Sequence, residues 1–360
     1  MKNKWFVSLL MVVVMMCACW TGVLAEDEER ETFTSGDYEY ALLDDGTVEI
    51  TGYSGDAEEL IIPDTLAGKK VTSIGDKAFA IHNSLFSVTI PDSVTQIGVN
   101  PFAYCDTLRS ISISPEHPYF SAIDGVLFRK ADKCLLSYPV GRQSVTYNIP
   151  QGITSIGDSA FAGHASVTTV VIPNSITSIG ERAFYWCKSL TSITIPDSVT
   201  SIGMSAFAYC NSLTSITIPD SVTSIGDGAF SFCDSLTSVT LSDSITSIGS
   251  KTFYQSTSLI SVTIPDSVTS IGDEAFSGCT SLTSVTIPDS VTSIGEAAFF
   301  LCMFLTDVTI PDSVTSIGDV TFGMCFDLTL TVPRNSYAAE YAKTNNIPYT
   351  YPDANDWLNN

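Results

Sequence analysis

The chain has 360 residues, of which 39 are acidic and 16 basic, so its formal net charge is −23 at neutral pH. Hydrophobic residues make up 44% of the sequence and charged residues only 15%. This balance excludes intrinsic disorder, which requires low hydrophobicity. It also excludes a general affinity for nucleic acid, because so acidic a chain repels phosphates. We therefore expect a folded protein with a sizeable core.

The N-terminal segment, residues 1–25, has the pattern of a secretory signal peptide. Two lysines precede an apolar stretch, residues 5–18, which is short for a membrane span but typical of the hydrophobic region of a signal. Ala25 then provides a small residue for cleavage. We predict that residues 1–25 are removed and that the mature chain is exported.

Lipoprotein anchoring through Cys19 is the weaker alternative, because the residues before Cys19 do not form a good lipobox. Beyond the signal, no stretch is long and apolar enough to span a bilayer. The sequence therefore predicts a protein that is secreted or exposed on the extracellular surface.

Residues 26–56 are predicted to form an acidic N-terminus followed by a capping hairpin. The segment Tyr38–Gly55 reads YEYALLDDGTVEITGYSG, with Asp45-Gly46 at the turn, where a positive φ is wanted. We expect this hairpin to cover the open N-terminal edge of the domain that follows.

A period of about 23 residues governs the segment 57–333, which we predict to be one repeat domain. Proline and phenylalanine both recur with this spacing, and the unit Leu213–Ser235 reads LTSITIPDSVTSIGDGAFSFCDS. The repeat phenylalanines are Phe79, Phe102, Phe161, Phe184, Phe207, Phe230, Phe253, Phe276, Phe299 and Phe322. Such a spacing is the signature of a solenoid.

Each unit is predicted to form one coil. In the representative unit the apolar alternation over 216–218 predicts a strand with one buried face, and Pro219 ends it because proline cannot donate to a sheet ladder. Gly226 is expected to permit a bend with positive φ. A single helical or 3₁₀ turn is expected to end at Cys233.

A single coil cannot be stable, because it buries one line of side chains against nothing, so the coils must stack. Neighbouring strands would lie roughly 4.8 Å apart in a parallel ladder, with like residues above one another. We count twelve rungs, from the segment that ends at Ile62 to the one that ends at Val332. The expected form is a curved rod roughly 55 Å long.

The repeat is interrupted once before it ends. Two successive repeat phenylalanines, Phe102 and Phe161, lie further apart than two repeats can account for. The surplus predicts a hairpin insertion near 115–143, with Asp124-Gly125 at its turn. The segment 334–360 is predicted to form a C-terminal cap and tail, with a short capping helix over 335–346.

The pattern LxxIxIPxSVxxIGxxAFxxC resembles the treponemal-type leucine-rich repeat of the bacterial BspA-like surface proteins, from about Leu60 to Pro333. The two hairpins and the ending YAAEYAKTNNIPY, Tyr337–Tyr349, are similar to that family as well. The resemblance implies a leucine-rich-repeat solenoid with a parallel β-ladder. It also implies a secreted or surface-displayed binding protein, in some members associated with adhesion to host matrix proteins or other cells, and it supplies no catalytic residues.

Eight cysteines follow the predicted signal peptide, and seven of them lie at one repeat position, the third after phenylalanine. An even number in an exported protein is consistent with disulfides, but one thiol per coil at a constant position favours buried, unpaired cysteine. His82, His164 and Ser256 occupy the same position in other coils. No cysteine or histidine pair has the spacing of zinc ligands, so we predict no metal site and no cofactor.

Catalysis is not predicted. Serine and aspartate are abundant because the segment IPDS recurs, and no nucleophile has a base near it in a readable motif. His117 alone among the histidines lies outside the cysteine position, so an enzyme would have to depend on it. The repeated aspartates, such as Asp220 and Asp243, would form a row that Ca²⁺ could neutralise, but aspartate at a turn is ordinary structural chemistry.

One candidate surface is the exposed side of the strands. Threonine and serine form a lattice there, which suits a soluble ladder. Five residues depart from this lattice at places where a partner could be recognised: Phe86, Arg109, Val171, Ile260 and Asp307.

A second candidate surface follows phenylalanine in each coil. Trp186, Tyr209 and Phe232 would stack on three successive coils, and Tyr185 and Tyr254 lie one residue earlier on their own coils. Such aromatic residues dominate binding hot spots when they are exposed. The alternative is that these rings pack against the turn of the next coil.

We therefore predict an exported, non-enzymatic binding protein. Its solenoid would bind a protein or glycan ligand on a host or neighbouring cell surface, through the concave ladder or through the aromatic residues. The alternative function is a structural spacer of the envelope or of a matrix, in which the ends of the rod associate.

Overall fold

The computed structural model describes residues 30–352. The predicted signal peptide and Cys19 lie outside the described residues. Within them the chain forms a parallel β-solenoid of about 13 turns, with additional strands at its N-terminal end and one short helix at its C-terminal end. The predicted fold class is confirmed.

Most strands are very short, because each coil has to change direction several times within one repeat. They are β1 (Thr32–Ser35), β2 (Tyr38–Leu42), β3 (Val48–Tyr53), β4 (Glu59–Ile61), β5 (Thr65–Leu66), β6 (Lys69–Ile74), β7 (Ser87–Ile90), β8 (Gln96–Ile97), β9 (Ser110–Ile113), β10 (Phe120–Ile123), β11 (Val126–Arg129), β12 (Cys134–Ser137), β13 (Thr146–Asn148), β14 (Ser155–Ile156), β15 (Thr169–Val171), β16 (Ser178–Ile179), β17 (Ser192–Thr194), β18 (Ser201–Ile202), β19 (Ser215–Thr217), β20 (Ser224–Ile225), β21 (Ser238–Thr240), β22 (Ser247–Ile248), β23 (Ser261–Val262), β24 (Ser270–Ile271), β25 (Ser284–Thr286), β26 (Ser293–Ile294), β27 (Asp307–Thr309), β28 (Ser316–Ile317), β29 (Thr329–Thr331) and β30 (Tyr349–Thr350). The helix α1 (Tyr337–Thr344) lies between β29 and β30.

Two parallel ladders run along the solenoid. The first contains the twelve predicted rungs, which are β4, β7, β9, β13, β15, β17, β19, β21, β23, β25, β27 and β29. Like residues pair in it, as Ser215 does with Ser238, and in the second ladder Ser201 pairs with Ser224. Regular pairing in the first ladder is interrupted between β9 and β13 and between β17 and β19.

The third side of each coil, which we call the turn face, runs from the repeat glycine to the cysteine position. Main-chain bonds join its neighbouring coils, as from Phe230 N to Thr252 O at 2.9 Å. These bonds alternate with bonds inside the coil, such as Ala229 N to Gly226 O at 3.2 Å. The bond inside the coil is of the i to i+3 kind expected for a 3₁₀-type turn.

The predicted reason for the repeat glycine is wrong. Gly226 does not have a positive φ. Gly228 (+64°) and Phe232 (+56°) do have one, and they lie two residues before and two residues after Phe230. A Cβ on Gly226 would instead lie 2.7 Å from Gly203 C of the preceding coil. The glycine is therefore required because two coils approach closely, not because the chain bends there.

The phenylalanines form one continuous stack, the phenylalanine file, inside the regular part of the solenoid. From Phe161 to Phe322 consecutive rings are fully or almost fully buried and stacked, with centroids 4.9 to 5.7 Å apart. This confirms that equal coils lie directly above one another.

The two ends carry the predicted caps. At the N-terminus β2 and β3 pair antiparallel, with Gly46 at a φ of +81° in the turn, and the additional strand β1 pairs with β2. At the C-terminus Ser336 Oγ accepts a hydrogen bond from Ala339 N (3.1 Å) and so caps α1. Ala338 and Ala342 of that helix are buried against the last coil.

The insertion contains the predicted hairpin, β10 and β11, with Asp124 and Gly125 between the two strands. A third strand, β12, pairs antiparallel with β11 and parallel with β14, so it returns the chain to the second ladder. Tyr138 follows β12 and extends the phenylalanine file, with its ring 4.9 Å from that of Phe161. The insertion therefore enlarges one coil, and the buried core divides into two clusters there.

Candidate functional site

The cysteine position has a structural role in each coil. Cys210 Sγ donates to Phe184 O of the preceding coil at 3.3 Å, and Ser256 Oγ makes the equivalent bond to Phe230 O at 2.8 Å. The same sulfur-to-carbonyl bond is made by Cys105, Cys187, Cys233, Cys279, Cys302 and Cys325. Burial raises the pKa of the Cys187 and Cys233 thiols to about 12, so these groups are poor nucleophiles.

Two of the histidines are equally buried. His164 Nδ1 accepts a hydrogen bond from Val167 N at 3.1 Å. His117, which lies outside the cysteine position, is fully buried as well, and its Nδ1 accepts a hydrogen bond from Phe120 N at 3.1 Å. Because that nitrogen is occupied and the ring is shielded from solvent, His117 is not placed to act as a general base on an external substrate.

The threonine lattice also stabilises the solenoid. Thr191 Oγ1 donates to Thr168 O at 3.2 Å and Thr237 Oγ1 donates to Thr214 O at 3.0 Å, one coil apart in each case. The aspartate row acts similarly, because Asp220 Oδ1 accepts from Asp243 N at 3.1 Å. Among residues 30–352 no three His, Cys, Asp or Glu side chains are grouped as metal ligands.

The five departures from the lattice lie on or next to the first ladder, away from the aromatic residues. Phe86 and Arg109 are neighbours on successive coils, with the guanidinium 5.1 Å from the ring centroid. Val171 and Ile260 are each about half exposed on separate coils. Asp307 Oδ2 accepts a hydrogen bond from the hydroxyl of the preceding residue. The structure does not bring these five residues together into one site.

Trp186, Tyr209 and Phe232 do lie together on the turn face, and we call them the aromatic strip. The rings of Tyr209 and Phe232 are parallel, with centroids 4.4 Å apart and 8° between their planes. Trp186 lies 6.1 Å from Tyr209 and is 41% exposed. Tyr185 contacts Tyr209 edge-on at 5.4 Å, and Tyr254 contacts Phe232 in the same way at 5.3 Å.

The backbone of the aromatic strip has the conformation that favours glycine. Trp186, Tyr209 and Phe232 have φ values of +62°, +61° and +56°, and Gly163 and Gly278 occupy the same position on other coils. This conformation costs a non-glycine residue about 1–2 kcal/mol. The same conformation occurs at this position of other coils, in Ile81, Tyr104, Gln255, Leu301 and Met324. The positive φ therefore belongs to the repeat, and the aromatic side chains distinguish the strip.

A groove of about 420 Å³ runs along the aromatic strip. Its walls are Tyr185, Tyr209, Phe232 and Tyr254, and it extends from Arg182 to Lys251. Its lining also includes the small residues Ala208, Gly228 and Ser231. The aromatic walls and the two cationic ends could hold an extended chain.

A second concavity, of about 670 Å³, lies at the other side of Trp186, beside the insertion. Both Gly163 and Tyr104 line it, and Gly163 makes room for the ring of Tyr104, because a Cβ at that position would lie 2.6 Å from the ring. The rings of Tyr104 and Trp186 are edge-on at 6.3 Å, and Lys188 Nζ lies 4.4 Å from the centroid of Trp186.

Sequence reasoning missed an exposed apolar cluster on the last coils. Met303, Phe304, Met324 and Phe326 are all exposed, with Phe304 at 64% and Phe326 at 62%. Earlier coils carry mainly Ser, Thr, Asn or Asp in the segment that follows cysteine. The change from CTSL to CMFL and CFDL was the signal that could have revealed this cluster.

No helix in residues 30–352 has the length and apolarity to cross a membrane. Similar solved structures include a leucine rich cell surface protein from Faecalibacterium prausnitzii (27% identity, TM-score 0.42, covering 88% of this chain and 98% of that chain). They also include leucine-rich repeat proteins from Eubacterium ventriosum (19% identity, TM-score 0.54, 82% and 94%) and Bacteroides ovatus (25% identity, TM-score 0.47, 89% and 99%). A search of curated protein sequences finds no significant match.

The family described as BspA type leucine rich repeat region matches the chain over residues 53–134, 143–259 and 246–341, with six copies of its model. These segments cover most of the sequence and coincide with the stacked coils. Together with the 23-residue period, they show that this chain belongs to the BspA type leucine-rich repeat family.

Proposed function

We propose that this chain is an exported or surface-displayed, non-enzymatic protein that binds a protein ligand through its aromatic strip. The observation that carries the proposal is the contact of Trp186, Tyr209 and Phe232 on three successive coils, next to a groove that Tyr209 and Phe232 line. Large aromatic side chains with little conformational freedom supply much of the energy of protein–protein interfaces.

Comparison within each coil supports the turn face as the binding surface. Next to the first ladder, one threonine of a repeat donates to the preceding coil, as Thr191 Oγ1 does to Thr168 O at 3.2 Å and Thr237 Oγ1 does to Thr214 O at 3.0 Å, so these side chains already serve the fold. On the turn face the coils are joined by main-chain bonds, such as Trp186 N to Ala208 O at 2.9 Å. The side chain at that position is therefore not required for the hydrogen bonds between the coils.

The non-enzymatic part of the proposal is supported by the state of the reactive groups in residues 30–352. The thiols at the cysteine position donate to backbone carbonyls, and His117 and His164 are fully buried. The family relationship also supports a binding role, because leucine-rich repeat proteins typically bind other proteins. Adhesion to a host or neighbouring cell, through protein or glycan, is the biological setting that we propose.

The test compares two triple variants of the mature chain in a pull-down from host-derived and bacterial surface extracts. The first, W186A/Y209A/F232A, removes the aromatic strip. The second, T194A/T217A/T240A, changes exposed threonines on the first ladder of the neighbouring strands β17, β19 and β21 and serves as the matched control.

We expect the strip variant to lose the proteins that the unmodified chain captures, and the control variant to keep them. Both variants should melt within a few degrees of the unmodified chain. Capture that is unchanged by the loss of all three rings would exclude the aromatic strip as the binding site.

A spacer whose ends associate is the second candidate function. The exposed apolar cluster of the last coils favours it, because exposed phenylalanines such as Phe304 and Phe326 are suited to contacts between molecules. Sedimentation velocity over a range of concentrations should then show self-association that disappears in F304S/F326T, which restores residue types found in earlier coils. A monomer at all concentrations would exclude this function.

A further inference from the structure

The basic residues of the regular coils are confined to one place. Between Gln143 and Arg334 the sequence contains three basic and sixteen acidic residues, a net charge of −13. The three are Arg182 and Lys251, which line the groove of the turn face, and Lys188, which directly follows the turn face and lies against Trp186. All three lie beside the aromatic strip and two of them line its groove, which in an otherwise acidic surface indicates a ligand that carries negative charge.

The three cations have defined places. Arg182 and Lys251 each stand two positions before the phenylalanine of their coil, the two coils are three repeats apart, and both side chains line the groove. At about 4.8 Å per coil their positions are separated by roughly 14 Å. Lys188 lies beyond Trp186, on the side of the second concavity.

Carboxylates of the chain already contact two of these cations. Glu181 Oε1 lies 3.0 Å from Arg182 Nη1, and Glu274 Oε1 lies 3.4 Å from Lys251 Nζ. Both pairs are substantially exposed, and exposed ion pairs contribute little free energy. A carboxylate of a ligand can therefore replace or join Glu181 and Glu274 at small cost.

The arrangement of the rings favours carboxylates over the flat faces of sugars. Tyr209 and Phe232 each cover one face of the other at 4.4 Å, and Tyr185 and Tyr254 contact this pair edge-on, so ring edges form a large part of the aromatic surface at the groove. The edge of an aromatic ring carries the positive end of its quadrupole, and this end attracts anions. A pyranose ring that binds by stacking needs an open aromatic face instead.

We propose that the groove binds an acidic peptide segment of the partner protein, with one carboxylate at Arg182, one at Lys251 and an apolar side chain between them against Tyr209 and Phe232. An extended peptide advances about 3.4 Å per residue, so two acidic residues four positions apart span the roughly 14 Å between the cations. This inference rests on the proposed function, and it specifies the chemistry of the ligand.

A densely charged polyanion fits the surface less well than such a peptide. The chain as a whole is strongly acidic, and Asp227 lies in the groove wall itself. The negative charge of the protein would repel a sulfated glycan along its whole length. A peptide with two carboxylates and apolar residues between them has negative charge only at the positions of the two cations.

The test measures the fluorescence anisotropy of a labelled, extended peptide that has two glutamates four positions apart and leucine between them. Matched peptides carry glutamine in place of both glutamates, or the two glutamates next to each other. The protein variant R182E/K251E reverses both groove cations. Glutamate already occupies the equivalent position as Glu274, so the substitution suits the backbone.

The matched control is K69E/K70E, which changes the net charge by the same amount at two exposed residues of β6, in the N-terminal part of the solenoid. We expect the spaced peptide to bind the unmodified chain and the control with affinities within threefold of each other. Its affinity for R182E/K251E should be at least tenfold weaker, and both matched peptides should bind at least tenfold more weakly than the spaced peptide.

Equal binding of the glutamine peptide, or equal loss in the control variant, would overturn the inference. Dextran sulfate that binds in a strip-dependent manner while the spaced peptide does not would also overturn it, in favour of an anionic glycan. If R182E/K251E captures the same surface proteins as the unmodified chain while W186A/Y209A/F232A does not, the proposed function stands and the acidic peptide is excluded.

Discussion

The ladders and the turn face are built from the same repeat unit, yet they differ in what their outward side chains do. On the ladders the outward positions repeat Thr and Ser from coil to coil, and threonines such as Thr200 donate to the coil before. On the turn face the second position after phenylalanine changes from Gly163 to Trp186, Tyr209 and Phe232.

Within each coil, the side chains that stabilise the stack and the side chains that vary therefore occupy different positions. Where a side chain completes the hydrogen bonds between coils, its identity is repeated. Where the main chain makes those bonds itself, as from Phe230 N to Thr252 O, the identity of the outward side chain changes. The second position after phenylalanine is therefore one at which the outward side chain varies while the main-chain bonds between coils are kept.

The largest expected effect on stability distinguishes the buried side chains of the turn face from its outward side chains. Phe207→Ala removes a fully buried ring of the phenylalanine file and should lower the free energy of unfolding by about 4 kcal/mol. Tyr209→Ala, two positions further on, removes a half-buried ring that stacks on Phe232 and should lower it by only about 1–2 kcal/mol. Chemical denaturation of both variants tests this pair, and equal losses would contradict the division between core and surface.

The next largest expected effect is a pH-dependent loss of stability caused by His164. Burial, and then the nearby charge of Arg142, lower the pKa of His164 from 6.5 to about 4. Between these two values the unfolded chain binds more protons than the folded one, so stability should fall by about 3 kcal/mol as the pH falls through this window.

The variant His164→Cys restores the residue of the other coils and should remove this part of the pH dependence. Denaturation of both proteins at pH 7 and at pH 4.5 provides the measurement. Parallel losses of stability in the two proteins would show that the imidazole of His164 is not responsible.

A smaller difference in stability is expected between alanine substitutions of Gly226 and Gly228, two glycines of the same coil. Gly226 is required by a close contact, and Gly228 is favoured by its backbone conformation. Gly226→Ala places a Cβ 2.7 Å from Gly203 C of the preceding coil and should cost about 2–3 kcal/mol of stability. Gly228→Ala places its Cβ 3.3 Å from Ser205 Oγ, a short side chain that can move, and keeps a φ of +64°, so it should cost only about 1 kcal/mol. Melting temperatures should follow this order; the reverse order would mean that conformation, not close approach, explains the repeat glycine.

The smallest expected effect on stability concerns the threonine hydrogen bonds between coils. Thr200→Val keeps the shape of the side chain but removes the bond from Oγ1 to Thr177 O, and should cost about 1 kcal/mol. Thr217→Val, at an exposed position of β19, is the matched control and should be nearly neutral. If denaturation midpoints are the same for both variants, the ladder bonds contribute nothing measurable.

Much of the fold could be predicted because the repeat is regular. The constant spacing of phenylalanine was sufficient to predict stacked coils, and the Asp-Gly pairs were sufficient to place both hairpin turns. Tyr138 was not identified as a member of the phenylalanine file, because it follows the hairpin insertion and lacks the surrounding repeat pattern. Strand β1 was missed because it lies outside the repeat.

The candidate site could be predicted only in part. Equal spacing predicted that Trp186, Tyr209 and Phe232 would stack. Their positive φ and the groove between Arg182 and Lys251 depend on how neighbouring coils fit together, and a single repeat unit does not contain that information. For the same reason, the role of Gly226 was assigned to a bend when it belongs to a contact with the preceding coil.

The most direct test of the account places a photo-crosslinking amino acid on either surface of the same region of the solenoid. Position 209 lies on the turn face and position 217 on the first ladder. After illumination with surface extract, we predict covalent adducts with partner proteins from position 209 and almost none from position 217. Adducts that form mainly from position 217 would show that recognition takes place on the ladder and would contradict the account.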